Sequence, residues 1–457
     1  MHSFLIILFL APNLGVSPDK PFQFEPSLEN ASEPVDGSVF PYRAKIVSPL
    51  PKLNSAMSRT MGYTEVERHR WGYLTPSGKT AIAPRFARAR PFRGQYAVAQ
   101  KIERVETQTR VVVTTPSGII NRTGNWVVQP KFDVISDPSE GLAKARLPRP
   151  MFRPAHDKTV YEGYVDMTGQ FVIAIELGQT LQEAGDFSGG LAWVHPMLSM
   201  EVAQRYMNDD DIKTLKAFYG TTAVPEQVRT ANTPYGYIDK TGKVVIDARF
   251  KKVTDFSEGR AAVQDGKTLK WGFIDRTGAW LVKPRFDWAS PYSNGLAAVE
   301  RGKRCGYLNL QSDEAIPPRF KHCFPFKEGY AVVVKTNGRW AFVDPAGQER
   351  PVLKDTPLEP IVDVGDFSDG LSAVKLKTQA GTRWGFVDQS GAVKIKPAYT
   401  NREPPVFMDG LARVEVVIRG PSTELWNQGQ TVDLPHVGYI DNRGRWVFGP
   451  VPRQSGF

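Results

Sequence analysis

Short apolar runs separated by turn residues recur along most of the chain, and Trp271–Val299 shows the pattern best. Gly272–Asp275 is an apolar run that leads into an Asp-x-x-Gly sequence. Such a sequence is typical of a tight hairpin turn, because Asp accepts hydrogen bonds from nearby backbone N–H groups and Gly adopts the left-handed conformation. Ala279–Val282 returns as a second strand that ends at Pro284, and Leu296–Val299 is a third. The pattern predicts a unit of three short strands, named a, b and c in that order.

The unit recurs nine times along the chain. The nine copies of strand a lie at Gly72, Gly118, Gly163, Gly236, Gly272, Gly306, Ala341, Gly385 and Gly438. Strand c follows an aromatic-x-x-Gly sequence in most copies. One unit has too few residues to bury its own apolar face, so it needs neighbours. We therefore expect an all-β tandem array of nine three-stranded antiparallel c-a-b units, built as an open solenoid-like stack or a closed toroid. A β-propeller is the alternative, which the pattern favours less because propeller blades usually carry four strands and these units carry three.

This block resembles the WG repeat family of WG-containing β repeats, close to the KWG repeats. The matching residues are Trp71-Gly72, Trp271-Gly272 and Trp384-Gly385, with the hairpin turn that follows and a Phe-Ser-x-Gly-Leu-Ala-x-Val close. The resemblance covers about residues 62–450. It implies a bacterial β-repeat protein that acts as an interaction scaffold, with no established chemistry.

The chain divides into four parts by composition. Residues 1–16 contain the apolar run Phe4–Leu10, which is too short to span a membrane and is typical of a signal peptide. It has no basic segment before it, so a start codon that clips a longer signal, or a simple apolar tail, are the alternatives. Residues 17–61 form a Pro/Ser-rich linker, 62–450 the repeat array and 451–457 a tail. Tyr63–Arg70 is interpreted as the strand c that enters the first unit.

Two segments interrupt the array. Residues 199–233 are predicted to form a helical insertion, with helices at Met200–Met207 and Asp209–Tyr219. Residues 417–434 are polar and predict a long hairpin loop. No other apolar run is long enough to be a transmembrane segment. The signal-like start predicts an extracytoplasmic protein (periplasmic, envelope-associated or secreted), or a cytoplasmic one if that start is not a signal.

The two cysteines, Cys305 and Cys323, lie in one unit. In an extracytoplasmic chain such a pair predicts a disulfide. The alternative is two buried thiols that pack as small apolar groups.

A carboxylate recurs at the start of the a–b turn in six copies: Asp166, Asp239, Asp275, Asp344, Asp388 and Asp441. The equivalent residues elsewhere are Thr75, Asn121 and Asn309, which also form side-chain-to-backbone turns but carry no carboxylate. Turn formation explains all nine positions, whereas catalysis or metal binding would explain only six. We interpret these residues as structural.

A basic residue recurs after strand b, between a proline or alanine and a phenylalanine. Its copies are Arg85, Lys131, Arg249, Arg285 and Arg319, and we call them the basic ladder. Equivalent positions in stacked units lie in register, and the chain carries a net charge of +10. The ladder is therefore a candidate binding surface for an anionic polymer. The alternative is that these cations keep a turn soluble or pair with acids nearby.

No motif predicts catalysis, a metal or a cofactor. The six histidines share no metal-ligand spacing, and the sequence has no paired-cysteine motif, nucleophile elbow or phosphate-binding glycine loop. We expect a non-enzymatic scaffold that binds an unidentified protein or polymer through a repetitive β surface, with no specific recognition of nucleic acid. The alternatives are an anionic-polymer binder that uses the basic ladder, and an enzyme with a site near the helical insertion.

Overall fold

The computed structural model describes most of the repeat array. The described residues are 39–45, 69–106, 111–148, 162–174, 184–195, 198–199, 213, 227–228, 234–354, 361–421 and 431–452. The predicted signal peptide at 1–16, most of the linker and residues 453–457 of the tail lie outside them. No helix in this part of the chain has the length and apolar character needed to cross a membrane.

All elements that the structure describes are strands. The first part of the chain forms β1 (Phe40–Lys45), β2 (His69–Leu74), β3 (Thr80–Phe86), β4 (Arg88–Ala89), β5 (Tyr96–Gln100), β6 (Glu103–Glu106), β7 (Val111–Thr114), β8 (Ser117–Asn121), β9 (Trp126–Phe132), β10 (Val134–Ile135), β11 (Ala143–Arg146), β12 (Glu162–Val165) and β13 (Phe171–Ala174). The middle part forms β14 (Leu191–Val194), β15 (Leu198–Ser199), β16 (Gln227–Val228), β17 (Tyr235–Asp239), β18 (Val244–Val253), β19 (Ala261–Asp265), β20 (Trp271–Ile274), β21 (Trp280–Phe286), β22 (Trp288–Ala289), β23 (Leu296–Arg301), β24 (Arg304–Asn309) and β25 (Glu314–Phe320). The last part forms β26 (His322–Cys323), β27 (Ala331–Val334), β28 (Trp340–Val343), β29 (Glu349–Pro351), β30 (Ile361–Ser368), β31 (Leu371–Thr378), β32 (Gly381–Asp388), β33 (Val393–Tyr399), β34 (Phe407–Met408), β35 (Leu411–Pro421), β36 (Thr431–Asp441) and β37 (Trp446–Pro452).

These strands form eight antiparallel sheets of three or more strands, arranged as an eight-bladed β-propeller. Six sheets have four strands each, in the orders β4-β5-β8-β9, β10-β11-β12-β13, β22-β23-β24-β25, β26-β27-β28-β29, β30-β31-β32-β33 and β34-β35-β36-β37. The sheet β1-β2-β3 has three strands, and β14-β17-β18-β19-β20-β21 has six. The six-stranded sheet contains two copies of strand a (β17 and β20), so the eight sheets hold all nine repeat units. We number these units 1–9 in chain order.

The expected three-stranded solenoid or toroid is therefore corrected to the propeller alternative. In units 2, 3, 6 and 7 the sheet has a fourth, edge strand of two residues (β4, β10, β22 and β26), and sequence analysis missed it because it directly continues strand b. In unit 2, β4 begins two residues after β3 ends, and the intervening Ala87 N–H already donates to Gln100 O, at 2.8 Å. In β18 the two strands are continuous, and Phe250 pairs with both Tyr235 and Asp265.

The glycine of strand a is required by an irregularity in the neighbouring strand b. In unit 5 the pairing jumps from Trp271↔Phe286 to Phe273↔Val282, and a Cβ added to Gly272 would lie 2.4 Å from Val282 O. Unit 7 has no such shift, since β28 pairs with β29 in unbroken register. This explains why Ala341 is tolerated where the other copies have glycine.

The apolar core lies between neighbouring sheets. One cluster joins Tyr307 and Ile316 of one sheet to Phe326 and Val343 of the next, all fully buried. Each unit thus completes its core with its neighbour, as its small size predicts.

Contacts between the first and last sheets close the array. Tyr439 Oη donates to Pro41 O at 2.9 Å, and the rings of Phe40 and Tyr439 lie 5.5 Å apart. The contact depends on β1, which is the strand c of unit 1 and pairs with β2 from Phe40↔Leu74 to Lys45↔His69. The interpretation of Tyr63–Arg70 as that strand is wrong: the true strand lies within the predicted linker, and residues 46–68 connect it to β2.

The two interruptions of the array are partly described. At the insertion, β15 and β16 pair as a two-stranded ribbon, while the predicted helices at 200–207 and 209–219 lie outside the described residues, Lys213 aside. At the second interruption, β35 and β36 remain paired as far as Pro421↔Thr431. The ladder therefore continues into both ends of the predicted loop 417–434, of which 422–430 lies outside the description.

Candidate functional site

The antiparallel order places the connections of each unit at two opposite ends of its strands. The a–b turns and the turns between the edge strand and strand c share one end, which we call the turn end. The connections from strand c to strand a lie at the other end, the hairpin end. At both ends the same type of connection repeats from unit to unit. At each end this repeat pattern is broken in one region.

The recurrent carboxylates lie in the a–b turns and hold them closed. Asp275 Oδ1 accepts hydrogen bonds from Thr277 N at 2.9 Å and Ala279 N at 3.0 Å. The same two bonds are made by Asp166, Asp239, Asp388 and Asp441, and by Asn121 and Asn309 in place of aspartate. Asp344 makes the second bond, to Gln348 N at 2.9 Å. The Thr277 hydroxyl, with the backbone N–H groups, lowers the pKa of Asp275.

Cys305 and Cys323 form a disulfide, with Cα atoms 6.0 Å apart. Cys305 lies in β24 and Cys323 in β26, which belong to adjacent sheets. The bond therefore joins two neighbouring sheets and does not lie within a single sheet.

The basic ladder has one residue at the end of each of five b strands, and its side chains contact the protein itself. Arg85 Nη2 donates to Gly124 O at 2.6 Å and Arg319 Nη2 to Gly347 O at 2.7 Å. Arg249 makes the equivalent bond to Gly278 O. Each acceptor is the turn glycine of the next unit. Every ladder cation also lies about 5 Å from the ring of the phenylalanine that follows it.

At the turn end, a serine and an acidic or amide residue join consecutive units. Ser257 Oγ donates to Tyr292 O at 2.7 Å, and the Glu258 carboxylate accepts from Gly295 N at 3.0 Å. We call this pair of bonds the turn latch. The serine bond recurs from Ser139, Ser188, Ser293 and Ser368 to the aromatic residue of the next unit. The acceptor bond recurs at Glu140, Asn294, Glu328 and Asp369.

The latch lacks its serine at the junction between the last and first sheets. Met408 occupies the serine position of unit 9 at this junction, and the serine is also replaced by Arg93 in unit 2 and by Lys327 in unit 7. A pocket of about 420 Å³ opens here, between the first, second and last sheets of the array. We call it the seam pocket.

The seam pocket combines apolar walls with charged groups. Its lining includes the rings of Phe40, Phe92 and Tyr439, and the side chains of Met408 and Leu411. Its charged groups are Arg93, Arg122, Arg413 and Asp409. Burial raises the pKa of Tyr439 to about 12, so its hydroxyl remains a neutral donor to Pro41 O.

The arginines of the seam pocket are held in place by neighbouring groups. Arg122 donates from Nε and Nη2 to Gly94 O, at 3.0 and 2.7 Å, and its guanidinium lies 5.5 Å from the centre of the Phe92 ring. Arg93 Nε lies 3.2 Å from the Asp137 carboxylate, and Arg413 Nη1 lies 3.2 Å from Glu415. Two of the three arginines that line the pocket are therefore paired with carboxylates that lie outside its lining.

Sequence analysis did not identify the seam pocket. The available signal was the shifted aromatic-glycine spacing at Phe92 and Gly94. Within the described residues, no group of three or more His, Cys, Asp or Glu side chains could hold a metal ion.

A closed array of antiparallel repeat sheets defines the protein as a β-propeller-type repeat protein. The family model for the WG containing repeat matches seven segments that together make up half of the chain: 71–101, 118–147, 163–194, 235–268, 271–305, 306–340 and 384–416. The chain belongs to this family, as the tryptophan–glycine motif predicted. No curated protein matches it.

Several solved structures are similar to the chain at low identity. The computationally designed Ika8 protein is 12% identical, with 68% of this chain and 91% of that chain covered and a TM-score of 0.36. The dipeptidyl peptidase 4 of Porphyromonas gingivalis is 7% identical, with 80% and 61% covered and a TM-score of 0.40. A puromycin hydrolase is 12% identical, with 82% and 55% covered and a TM-score of 0.31, so the chain spans about half of its length.

Proposed function

We propose that the protein is a non-enzymatic binding scaffold that contacts a protein partner through its hairpin end. The observation that carries the proposal is an asymmetry in the connections from strand c to strand a. The short connections are 266–270, 302–303, 335–339 and 379–380, in units 5–8. The long ones are 46–68, 101–116, 147–161 and 195–234, in units 1–4.

Unit 9 extends the long set across the junction. Its strands β35 and β36 each have 11 residues and project well beyond the strands of the usual unit. Because unit 9 contacts unit 1, the long connections of units 9, 1, 2, 3 and 4 are neighbours around the array. We call them the hairpin crown. Such a one-sided group of long connections on a rigid repeat scaffold is the usual place for partner recognition.

The described part of the hairpin crown exposes apolar side chains. Val105 and Val112 of the β6–β7 hairpin are 60% and 37% exposed, and Val417 and Ile418 of β35 are 43% and 40% exposed. Exposed apolar residues on projecting strands favour a protein partner over a highly charged polymer. The hydrogen bonds that the ladder arginines make with the next unit likewise favour a structural use of those cations.

We further propose that the protein works outside the cytoplasm, as its apolar start suggests. The disulfide between Cys305 and Cys323 supports this location, because disulfides persist in oxidising compartments.

The test is capture of a partner from the native envelope fraction by the full chain, at low and high salt, followed by direct binding to the identified protein. The crown variant carries Val105→Ser, Val112→Ser, Val417→Ser and Ile418→Ser. The control carries Val244→Ser and Val245→Ser, which are 50% and 42% exposed but lie in β18 next to the turn end. We expect the wild type and the control to bind one protein at both salt concentrations, and the crown variant to bind at least tenfold more weakly.

Three outcomes would contradict the proposal. Equal binding by all three forms would place the partner away from the hairpin crown. Capture of a polymer that is lost at high salt would favour the basic ladder instead. Capture of nothing would contradict a scaffold and favour the enzyme alternative near the insertion.

A further inference from the structure

The β6–β7 hairpin of the hairpin crown forms a ribbon of its own, and neither of its outer edges pairs with another strand of the described residues. We propose that β7 (Val111–Thr114) is a docking edge for an extended segment of the protein partner, which adds to it as a third, hydrogen-bonded strand. This inference rests on the proposed scaffold function and names the kind of segment that the partner contributes.

The outer edge of β7 carries backbone groups that a further strand can bond. In an antiparallel pair every second residue bonds the neighbouring strand, and the residues between them direct N–H and C=O away from it. β7 pairs with β6 from Glu103↔Thr114 to Glu106↔Val111. Every second residue of β7 therefore presents a donor and an acceptor on its outer side, which is the pattern that an added strand recognises.

The composition of β7 leaves this edge unprotected. Proline and charge are the usual protection of a strand edge against a further strand. In the described part of the chain, seven of the eight b strands that end a sheet contain a proline, as β33 does at Pro397, and β13 is the exception. In the ribbon, β6 carries Glu103, Arg104 and Glu106, whereas β7 is Val-Val-Val-Thr, without proline or charge. Its β-branched residues also have high strand propensity.

Exposed valines beside this edge favour an apolar added strand. Val105 and Val112 lie directly opposite each other on one face of the ribbon, and they are 60% and 37% exposed. A strand added to β7 places alternate side chains beside Val112 on that face. β-branched or aromatic side chains at these positions would remove apolar surface from water. The backbone bonds thus provide affinity, and the row of side chains provides selectivity.

The length of the edge favours a partner segment over a second copy of this chain. β7 has four residues, so it is about 14 Å long at about 3.4 Å per residue. Two β7 strands from two copies would bury far less than the roughly 1,200 Å² of a stable interface. A protein partner can contact further parts of the hairpin crown, so the added strand is one part of a larger interface.

The experiment titrates the full chain with a set of capped peptides of the form Lys-X-Thr-X-Thr-X-Lys, in which X is Val, Ile, Phe or Tyr. Each peptide has a counterpart with the same side chains that is N-methylated at every residue between the lysines, which removes the backbone donors. We expect at least one peptide to bind, and its N-methylated counterpart to bind at least tenfold more weakly. Fluorescence anisotropy of labelled peptides measures both affinities.

Two variants of the chain locate the site. Val112→Lys is expected to weaken peptide binding at least tenfold, because a cation then lies beside the apolar added strand. The matched control is Val393→Lys, since Val393 is 40% exposed and lies in β33, whose edge is protected by Pro397. The control is expected to bind like the wild type. Unchanged binding by Val112→Lys at intact thermal stability would overturn the proposal, as would equal binding of the N-methylated peptides.

Amide hydrogen exchange gives an independent readout. Bound peptide is expected to slow exchange of the outward amides of β7 and to leave those of β6, on the opposite edge of the same ribbon, unchanged. Slower exchange in β6 alone would overturn the assignment to β7. Dimer formation by the free chain that Val112→Lys abolishes would assign the edge to a second copy and overturn the assignment to a partner. Failure of every peptide to bind would overturn strand addition, whereas capture of a protein by the full chain would still support the scaffold.

Discussion

At the residue scale, the repeat is specified by a few positions that each meet one local structural requirement. The turn aspartate satisfies two backbone N–H groups of a tight hairpin, and the strand-a glycine makes room for the irregular strand b beside it. Both positions could be interpreted from the sequence alone, because the interactions are local and nine copies are available for comparison. The latch serine is visible in the Phe-Ser-x-Gly close, but its bonding role was not recognised, because its acceptor is the backbone carbonyl of another unit.

Replacement of Asp388 by asparagine gives a pH-dependent prediction. Burial alone would raise the pKa of Asp388, but hydrogen bonds from Ser390 and Lys394 outweigh it and lower the pKa to about 2 from 3.8. Because the folded-state pKa is depressed, the charge stabilises the protein above about pH 4, and this contribution is lost as the pH falls toward 2. Asparagine keeps the two turn hydrogen bonds, as Asn121 and Asn309 do, but not the charge.

We therefore expect Asp388→Asn to lower the free energy of unfolding by about 1 kcal/mol at pH 6, a value limited by solvent screening. The difference from the wild type should shrink between pH 4 and pH 2. Urea unfolding at each pH measures it. Parallel stability curves for the two proteins over this range would contradict the assignment.

At the element scale, the a, b and c strands and their antiparallel order could be predicted, whereas the fourth strand could not. A two-residue strand that follows strand b without a turn residue leaves no signal in the hydrophobic pattern. The same limit affects β1, which pairs with β2 across residues 46–68 and was assigned to a linker. Strand pairing over such distances depends on tertiary contacts, which the local sequence does not encode.

The prediction at the element scale concerns the stability that a ladder arginine contributes through its hydrogen bond to the next unit. Arg249 and Arg285 both lie 5.0 Å from the ring of the following phenylalanine, but only Arg249 has a hydrogen bond to the next turn, at Gly278 O. Methionine retains much of the packing over the ring in both cases. We expect Arg249→Met to lower the free energy of unfolding by about 1.5–3 kcal/mol more than Arg285→Met, which is the range for a charge-assisted hydrogen bond.

Chemical denaturation of the two variants side by side tests this difference. An equal decrease in the free energy of unfolding for the two variants would mean that the inter-unit hydrogen bond contributes nothing measurable to stability. In that case the ladder would again be open to interpretation as a binding surface.

At the scale of the whole molecule, the decisive feature is closure between units far apart in sequence. The repeat period predicts stacking of each unit on the next, but an open stack and a closed ring share that property. The contact that distinguishes them joins Tyr439 to Pro41, 398 residues apart. Closure also creates the seam pocket, which is lined by residues of the first, second and last sheets.

Disruption of the seam tests closure directly. Phe40 is buried against Tyr439 of the last sheet, with 7% of its surface exposed, and Phe40→Ala is expected to destabilise the junction by about 3–5 kcal/mol. Because the array is closed, amide hydrogen exchange should accelerate in β36 and β37, at the opposite end of the chain. Phe320→Ala, a buried control in the unit 6 core, should accelerate exchange in its own and adjoining sheets without singling out β36 and β37. If exchange in β36 and β37 is unchanged by Phe40→Ala while exchange in β2 and β3 rises, the first and last units are independent and the array is open in solution.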